Sequence, residues 1–151
     1  MSYRGTRERF VGGMGPAKEQ YVEILDELIA ERDIRRLQAL YAQHADDGDA
    51  ESYGALFADD GAIVAQGKRV QGRAAVQEWL LGTLRGKPMR HLMANPDIVL
   101  EDDAHATGSM DLAPLRKEDT GWKVWATIRY RDTYVKTTGG WRFAERVLEP
   151  R

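Results

Sequence analysis

The hydrophobic rhythm of the chain changes near Pro88. Before it, apolar residues recur at helical spacing: Tyr21, Ile24, Leu25, Leu28 and Ile29 form one stripe, and Ile34, Leu37, Tyr41 and Ala45 a second. The charged Glu31, Arg32 and Asp33 between them allow either one long helix or two in sequence, the second capped by Asp33. The acidic run 46–49 ends the pattern, with Gly48 placed to close a helix in the left-handed conformation. A short helix is predicted through Ser52, Tyr53, Leu56 and Phe57, stopping at residues 58–61. Residues 62–65 and 69–72 then read as a small hairpin. A third helix runs from Arg73 to near Leu84 and buries Val76, Trp79 and Leu80.

After Pro88, segments 89–100, 104–113, 122–136 and 141–149 read as strands, with turn chemistry between them. Alternation in 122–136 puts Trp122, Val124, Ala126, Ile128 and Tyr130 on one face. Lys123, Thr127, Arg129 and Arg131 take the other, where Trp125 is an apolar exception suited to a subunit interface. Helices followed by consecutive antiparallel strands give an α+β domain. In it a curved sheet wraps about three N-terminal helices and leaves a closed-ended pocket.

Composition narrows the class. A chain of 151 residues suits one domain, predicted over 20–151 and preceded by a flexible Gly- and Arg-rich arm over 1–19. With 42% hydrophobic and 30% charged residues it has the balance of a soluble globular protein. A formal net charge of -2 gives no global attraction to nucleic acid or anionic membrane. No apolar run reaches the length of a membrane span, and no apolar segment follows the early arginines, so neither a membrane nor a secretory assignment is expected. The lack of cysteine removes disulfides, thiolate metal sites and cysteine nucleophiles, and is compatible with a cytoplasmic location. The three histidines, His44, His91 and His105, lack metal-site spacing, so no metal is expected.

His91 opens an apolar, strand-like stretch that breaks at Asn95–Pro96. This stretch, with residues 31–61, 69–80 and 139–150, resembles the SnoaL-like branch of the nuclear-transport-factor-like superfamily over roughly residues 23–150. The resemblance implies a cone-shaped fold with an apolar pocket. It also implies a place near scytalone dehydratase, hexachlorocyclohexane dehydrochlorinase and bile-acid dehydratase. In that branch an Asp at the end of the first long helix pairs with a His on a strand. Those positions fall here on Asp46 and His91, with Asn95 four residues on. The resemblance further assigns substrate contacts to Tyr41, to Arg146 on the final strand and, depending on strand register, to Asp111 on the strand after His91. Strand alternation adds Met93 as a pocket wall on the His91 side. The carboxylate-base pattern of ketosteroid isomerase does not map onto the chain.

These residue types suit elimination. An imidazole ordinarily titrates near neutrality and can take a proton from carbon. A carboxylate on its other ring nitrogen fixes the tautomer and stabilises the imidazolium. Tyr41 and Arg146 could donate to a developing oxyanion. The scheme needs no cofactor. It implies a cofactor-independent lyase, a dehydratase or related enzyme, acting on a small apolar and possibly cyclic molecule. Alternatives are a double-bond isomerase or polyketide-type cyclase in the same pocket, and a non-catalytic ligand binder or a subunit like the small subunit of ring-hydroxylating dioxygenases. A homodimer or homotrimer is the expected assembly.

Overall fold

The computed structural model describes residues 15–151. The expected N-terminal arm lies mostly outside the described residues, and the first helix begins within its last positions. This helix, α1, runs unbroken from Pro16 to Asp47, so the two apolar stripes belong to one helix. Pro16 at the first helical position needs no backbone donor, and Asp33 lies mid-helix rather than at a cap. Gly48, at φ 71, closes the helix as its sequence position predicted.

The two stripes face opposite ways. At 3.6 residues per turn their centres are roughly 160° apart around the axis. The second stripe packs into the domain: Ile34, Leu37, Tyr41 and Ala45 are buried, together with Gln38. The first stripe, from Tyr21 to Ile29, is exposed along its length.

A short helix, α2 (Ala50–Ala55), follows, with the Asp49 side chain accepting from Ser52 N at 3.0 Å as its cap. Residues 58–61 do not form the expected loop. They lie within strand β1 (Phe57–Ala65), which shifts register before Ala62 and then pairs with β2 (Lys68–Gln71) in the expected hairpin. Helix α3 (Arg73–Leu84) buries Val76, Leu80 and Leu84, while Trp79 is only partly buried. The remaining strands are β3 (Met89–Leu100), β4 (His105–Glu118), β5 (Gly121–Val124), β6 (Ile128–Thr137) and β7 (Gly140–Pro150). The sheet has the order β2-β1-β7-β6-β4-β3, with β5 added to β4; β1 and β7 pair parallel and every other pair is antiparallel.

The single strand expected over 122–136 is broken into β5 and β6. Both pair with β4, at residues 115–118 and 105–112 respectively, and Pro114 stands at the join. Proline offers no N–H to continue the ladder, so the partner chain leaves the sheet at 125–127. Its carbonyl instead accepts from Trp125 N at 2.8 Å.

The sheet's inner face packs Met110, Leu112, Tyr130, Tyr134, Trp141 and Phe143 against the second half of α1 and against α3. Two bulges decide which side chains reach that face. In β3, Asn95 and Pro96 together oppose the single residue Met110 of β4, and Asn95 takes φ 53. In β7, Ala144 is an extra residue between Phe143 and Glu145, whose partners Tyr134 and Thr133 are adjacent in β6, so Phe143 and Arg146 both point inward.

Candidate active site

One cavity of about 700 Å³ opens between the helices and the sheet. This is the size of small-molecule sites generally. Its inner end is built from buried Tyr41, Tyr53, Leu80, Met89, Leu112 and Tyr130. Its outer end carries Lys68, Arg85, Arg116, Trp125, Thr127 and Pro150.

His91 lies in the cavity wall, on the inward side of β3. Its Nδ1 is 2.7 Å from Asp46 Oδ1. The same carboxylate accepts from the His91 backbone N–H, at 3.0 Å to Oδ1 and 3.2 Å to Oδ2. Asp46 occupies the last turn of α1 and does not itself line the cavity. It therefore holds both the backbone and the ring of one residue, from behind. A carboxylate can only accept, so the shared proton belongs on Nδ1, and in the neutral ring Nε2 then carries the lone pair. No side chain among the described residues bonds Nε2. The side chains of His91 and Asp46 are 8% and 15% exposed, enough shielding for the pair to work largely out of water.

Tyr41 and Asp46 sit on different sides of α1, and the geometry uses both. Tyr41 meets the His91 ring edge-on at 6.0 Å between centroids, while Asp46 reaches β3 beyond the helix end. Tyr53, from α2, stacks 4.7 Å from Tyr41 and lines the cavity with a buried hydroxyl that has no hydrogen-bond partner. Burial pushes its phenol well above the usual tyrosine range, with Tyr41 adding to the effect, so it keeps its proton and can donate.

Four expected substrate contacts lie elsewhere. Arg146 does not line the cavity. It is fully buried, with Nε 2.7 Å from Asp132 Oδ1 and Nη2 2.6 Å from Oδ2. Its guanidinium lies over Tyr41, Tyr130 and Phe143 at 4.1, 3.9 and 4.3 Å. Burial opposes its charge, but Asp132 outweighs that and holds its pKa above the ordinary arginine value. Asp132 also accepts from the Tyr134 hydroxyl at 2.7 Å, and that hydroxyl accepts from Gln38 Nε2 at 2.8 Å. Arg146 thus belongs to a buried polar network.

Asp111 faces outward from β4, where its even-numbered neighbours Met110 and Leu112 are buried. It pairs with Arg129 at 2.6 and 3.0 Å, and Asn95 donates to it at 3.1 Å. The Arg129 hydrogen bond, aided by Asn95, draws its pKa down to about 2. The β3 bulge explains Asn95: it reverses the alternation that put Asn95 beside His91. Met93 stays inward but packs against the core rather than the cavity. His44 stands 3.9 Å from Asp49, and His105 bonds Asp102 at the surface. Among the described residues no cluster of metal-ligand type occurs.

Sequence reasoning missed Tyr53 and Arg116 as cavity residues and gave Trp125 a different place. Tyr53 had a local signal, one turn after the capping Asp49. Arg116 and Trp125 meet only because the chain leaves the sheet opposite Pro114, with the Arg116 guanidinium 3.9 Å over the Trp125 ring.

Comparison with known proteins agrees with this architecture. A search of curated proteins finds no match. Among solved structures, the chain is similar to Rv3472, a protein of unknown function from Mycobacterium tuberculosis. The two share 31% identity and a TM-score of 0.75 over 93% of this chain and 78% of the other. It is also similar to an NTF2-like protein with a cystatin-like fold from Novosphingobium aromaticivorans, at 25% identity and TM-score 0.81 over 91% and 92%. A provisionally named scytalone dehydratase from the same bacterium shares the fold at 24% identity and TM-score 0.74, over 83% and 87%. The profile of the SnoaL-like domain matches residues 26–147, and the chain belongs to that family.

Proposed function

We propose that the protein is a cofactor-independent lyase that eliminates water, or a comparable leaving group, from a small cyclic molecule held in the cavity. The observation that carries this reading is the His91 ring, which lines the cavity and is held from behind through Nδ1 by Asp46 at 2.7 Å, leaving Nε2 as the nitrogen for a substrate. In the proposed reaction Nε2 takes a proton from the carbon beside a carbonyl. The C–H electron pair becomes the new double bond, and the neighbouring C–O bond breaks. The imidazolium returns its proton to the departing oxygen, which leaves as water. Asp46 stabilises the imidazolium in between. Tyr41 and Tyr53 line the same inner end, and Tyr41 supplies the donor for the carbonyl oxygen.

An isomerase or cyclase using a carboxylate base finds less support, because no Asp or Glu lines the cavity among the described residues. A pure binding role keeps the same cavity and the same tie between α1 and β3, but makes no use of a cavity-lining imidazole oriented by a carboxylate. The test is a screen of cyclic β-hydroxy ketones for the absorbance of the conjugated product. Turnover that disappears in His91→Ala supports the proposal; binding with no turnover by the wild-type protein favours the binder.

Self-assembly and a cytoplasmic setting belong to the same proposal. Among the described residues no helix is long and apolar enough to cross a membrane. Tyr21, Ile24, Leu25, Leu28 and Ile29 form an exposed apolar stripe on a stretch of α1 where residues 15–29 are all exposed, of the kind that marks an interface. A second copy of the chain is its proposed partner, in a homodimer or homotrimer.

A further inference from the structure

The charge around the cavity has one sign. Lys68 from β2, Arg85 at the end of α3 and Arg116 from the inner side of β4 border it, and no acid does among the described residues. The chain is not short of acids, with 24 Asp and Glu against 22 Lys and Arg. Elsewhere arginines sit on carboxylates: Arg69 on Glu145, Arg73 on Asp59, Arg129 on Asp111 and Arg131 on Glu149. Within the described residues, none of the three cavity cations has such a partner.

Arg116 is the most informative of them. Its guanidinium lies 3.9 Å over Trp125, and Nη2 donates to the Thr83 carbonyl at 2.8 Å, so its position is fixed from two sides. Its Nε is buried and has no hydrogen-bond partner. With Nη2 on Thr83 and Nε shut off from solvent, Nη1 is the donor left for a ligand, and a guanidinium is matched best by a planar oxyanion. Arg85 lies two residues beyond Thr83, so these two cations share one end of the cavity. The opposite, inner end is aromatic and aliphatic and holds His91.

We propose that the substrate is an anionic one: a ring-sized apolar body that fills the Tyr41–Leu112–Tyr130 end and carries a carboxylate held at the mouth by Arg116, with Lys68 and Arg85 adding to the field. The proposal rests on the cavity being the ligand site, as argued above. It also gives the substrate a direction, acid group outward and reacting carbon inward toward Nε2 of His91.

Binding alone tests it, with no turnover required. Calorimetry compares 2-naphthoate, 2-naphthyl phosphate and the neutral isostere 2-naphthamide on the full chain. The expected result is that naphthoate binds at least tenfold tighter than naphthamide. That advantage should shrink as salt rises and fall to threefold or less in Arg116→Gln. It should survive in His91→Ala, which separates this question from the elimination chemistry. Thermal melting checks that Arg116→Gln is folded. If it is not, Lys68→Gln with Arg85→Gln, at two exposed positions, should cut the advantage at least threefold. Equal affinity for acid and amide overturns the proposal, and so does an advantage unchanged in these variants. A tenfold preference for the naphthyl phosphate over naphthoate replaces the carboxylate with a phosphate ester. Failure of all three probes to bind overturns the cavity as a ligand site as well.

Discussion

Replacing Arg146 should destabilise the protein rather than disarm it. In Arg146→Ala, Asp132 loses two charge-assisted hydrogen bonds, of 2.7 and 2.6 Å, and keeps only the Tyr134 hydroxyl. Both side chains are 0% exposed, so water cannot replace the guanidinium without opening the core. Breaking a buried pair by removing one partner costs about 3–5 kcal/mol. The lost stacking over Tyr41, Tyr130 and Phe143 acts in the same direction. A domain of this size is stable by about 5–15 kcal/mol, so the variant sits near the edge of folding. Its melting temperature should fall by on the order of 10 °C or more. Urea denaturation and thermal melting of Arg146→Ala, Asp132→Asn and the pair Arg146→Met/Asp132→Leu measure this directly. The double replacement should be less destabilised than the sum of the single losses, because it leaves no buried charge behind. An Arg146→Ala protein that melts like the wild type yet loses ligand affinity would refute the reasoning and return Arg146 to the cavity.

Asp111→Asn should leave ligand binding and turnover unchanged, since Asp111 points away from the cavity toward Arg129. With its folded pKa drawn down to about 2, its contribution to stability is present above the unfolded carboxylate value and is lost as pH falls toward 2; acid titration of unfolding should therefore show wild type and variant converging over that window. Leu25→Glu combined with Leu28→Glu, both in the exposed stripe of α1, should shift sedimentation toward the 17.1 kDa chain with little change in melting of the domain. An unchanged sedimentation coefficient, or a wild-type protein already monomeric at micromolar concentration, would remove that stripe as the assembly surface.

The parts of this molecule that were readable from the sequence are those governed by local periodicity. The three helices, the hairpin at 62–71 and the succession of strands after Pro88 follow from spacing and turn residues. The pairing of Asp46 with His91 was readable only through the order of motifs, because 45 residues separate them and nothing local brings them together. Strand alternation failed where the ladder slips. At the β7 bulge Ala144 breaks the period of two, which puts Arg146 inward with Phe143 and against Asp132 instead of in the cavity. The β3 bulge does the same to Asn95. A period-two reading has no means of placing an extra residue, since a bulge is decided by the partner strand. The continuity of α1 was hidden for a related reason. Its two stripes answer to different surroundings, and only the second is anchored by the domain.

The central claim is that His91 is the base and Asp46 its orienter. It is tested most directly by kcat/KM for His91→Ala, Asp46→Asn and the double variant on a substrate found in the screen. Both single variants should fold and lose on the order of 10²–10⁴-fold in activity, the usual worth of a positioned general base. The double variant should be little worse than either single one, because two residues acting as a unit do not add. If His91→Ala keeps near-wild-type turnover, or if the two losses multiply, His91 and Asp46 are not the catalytic pair.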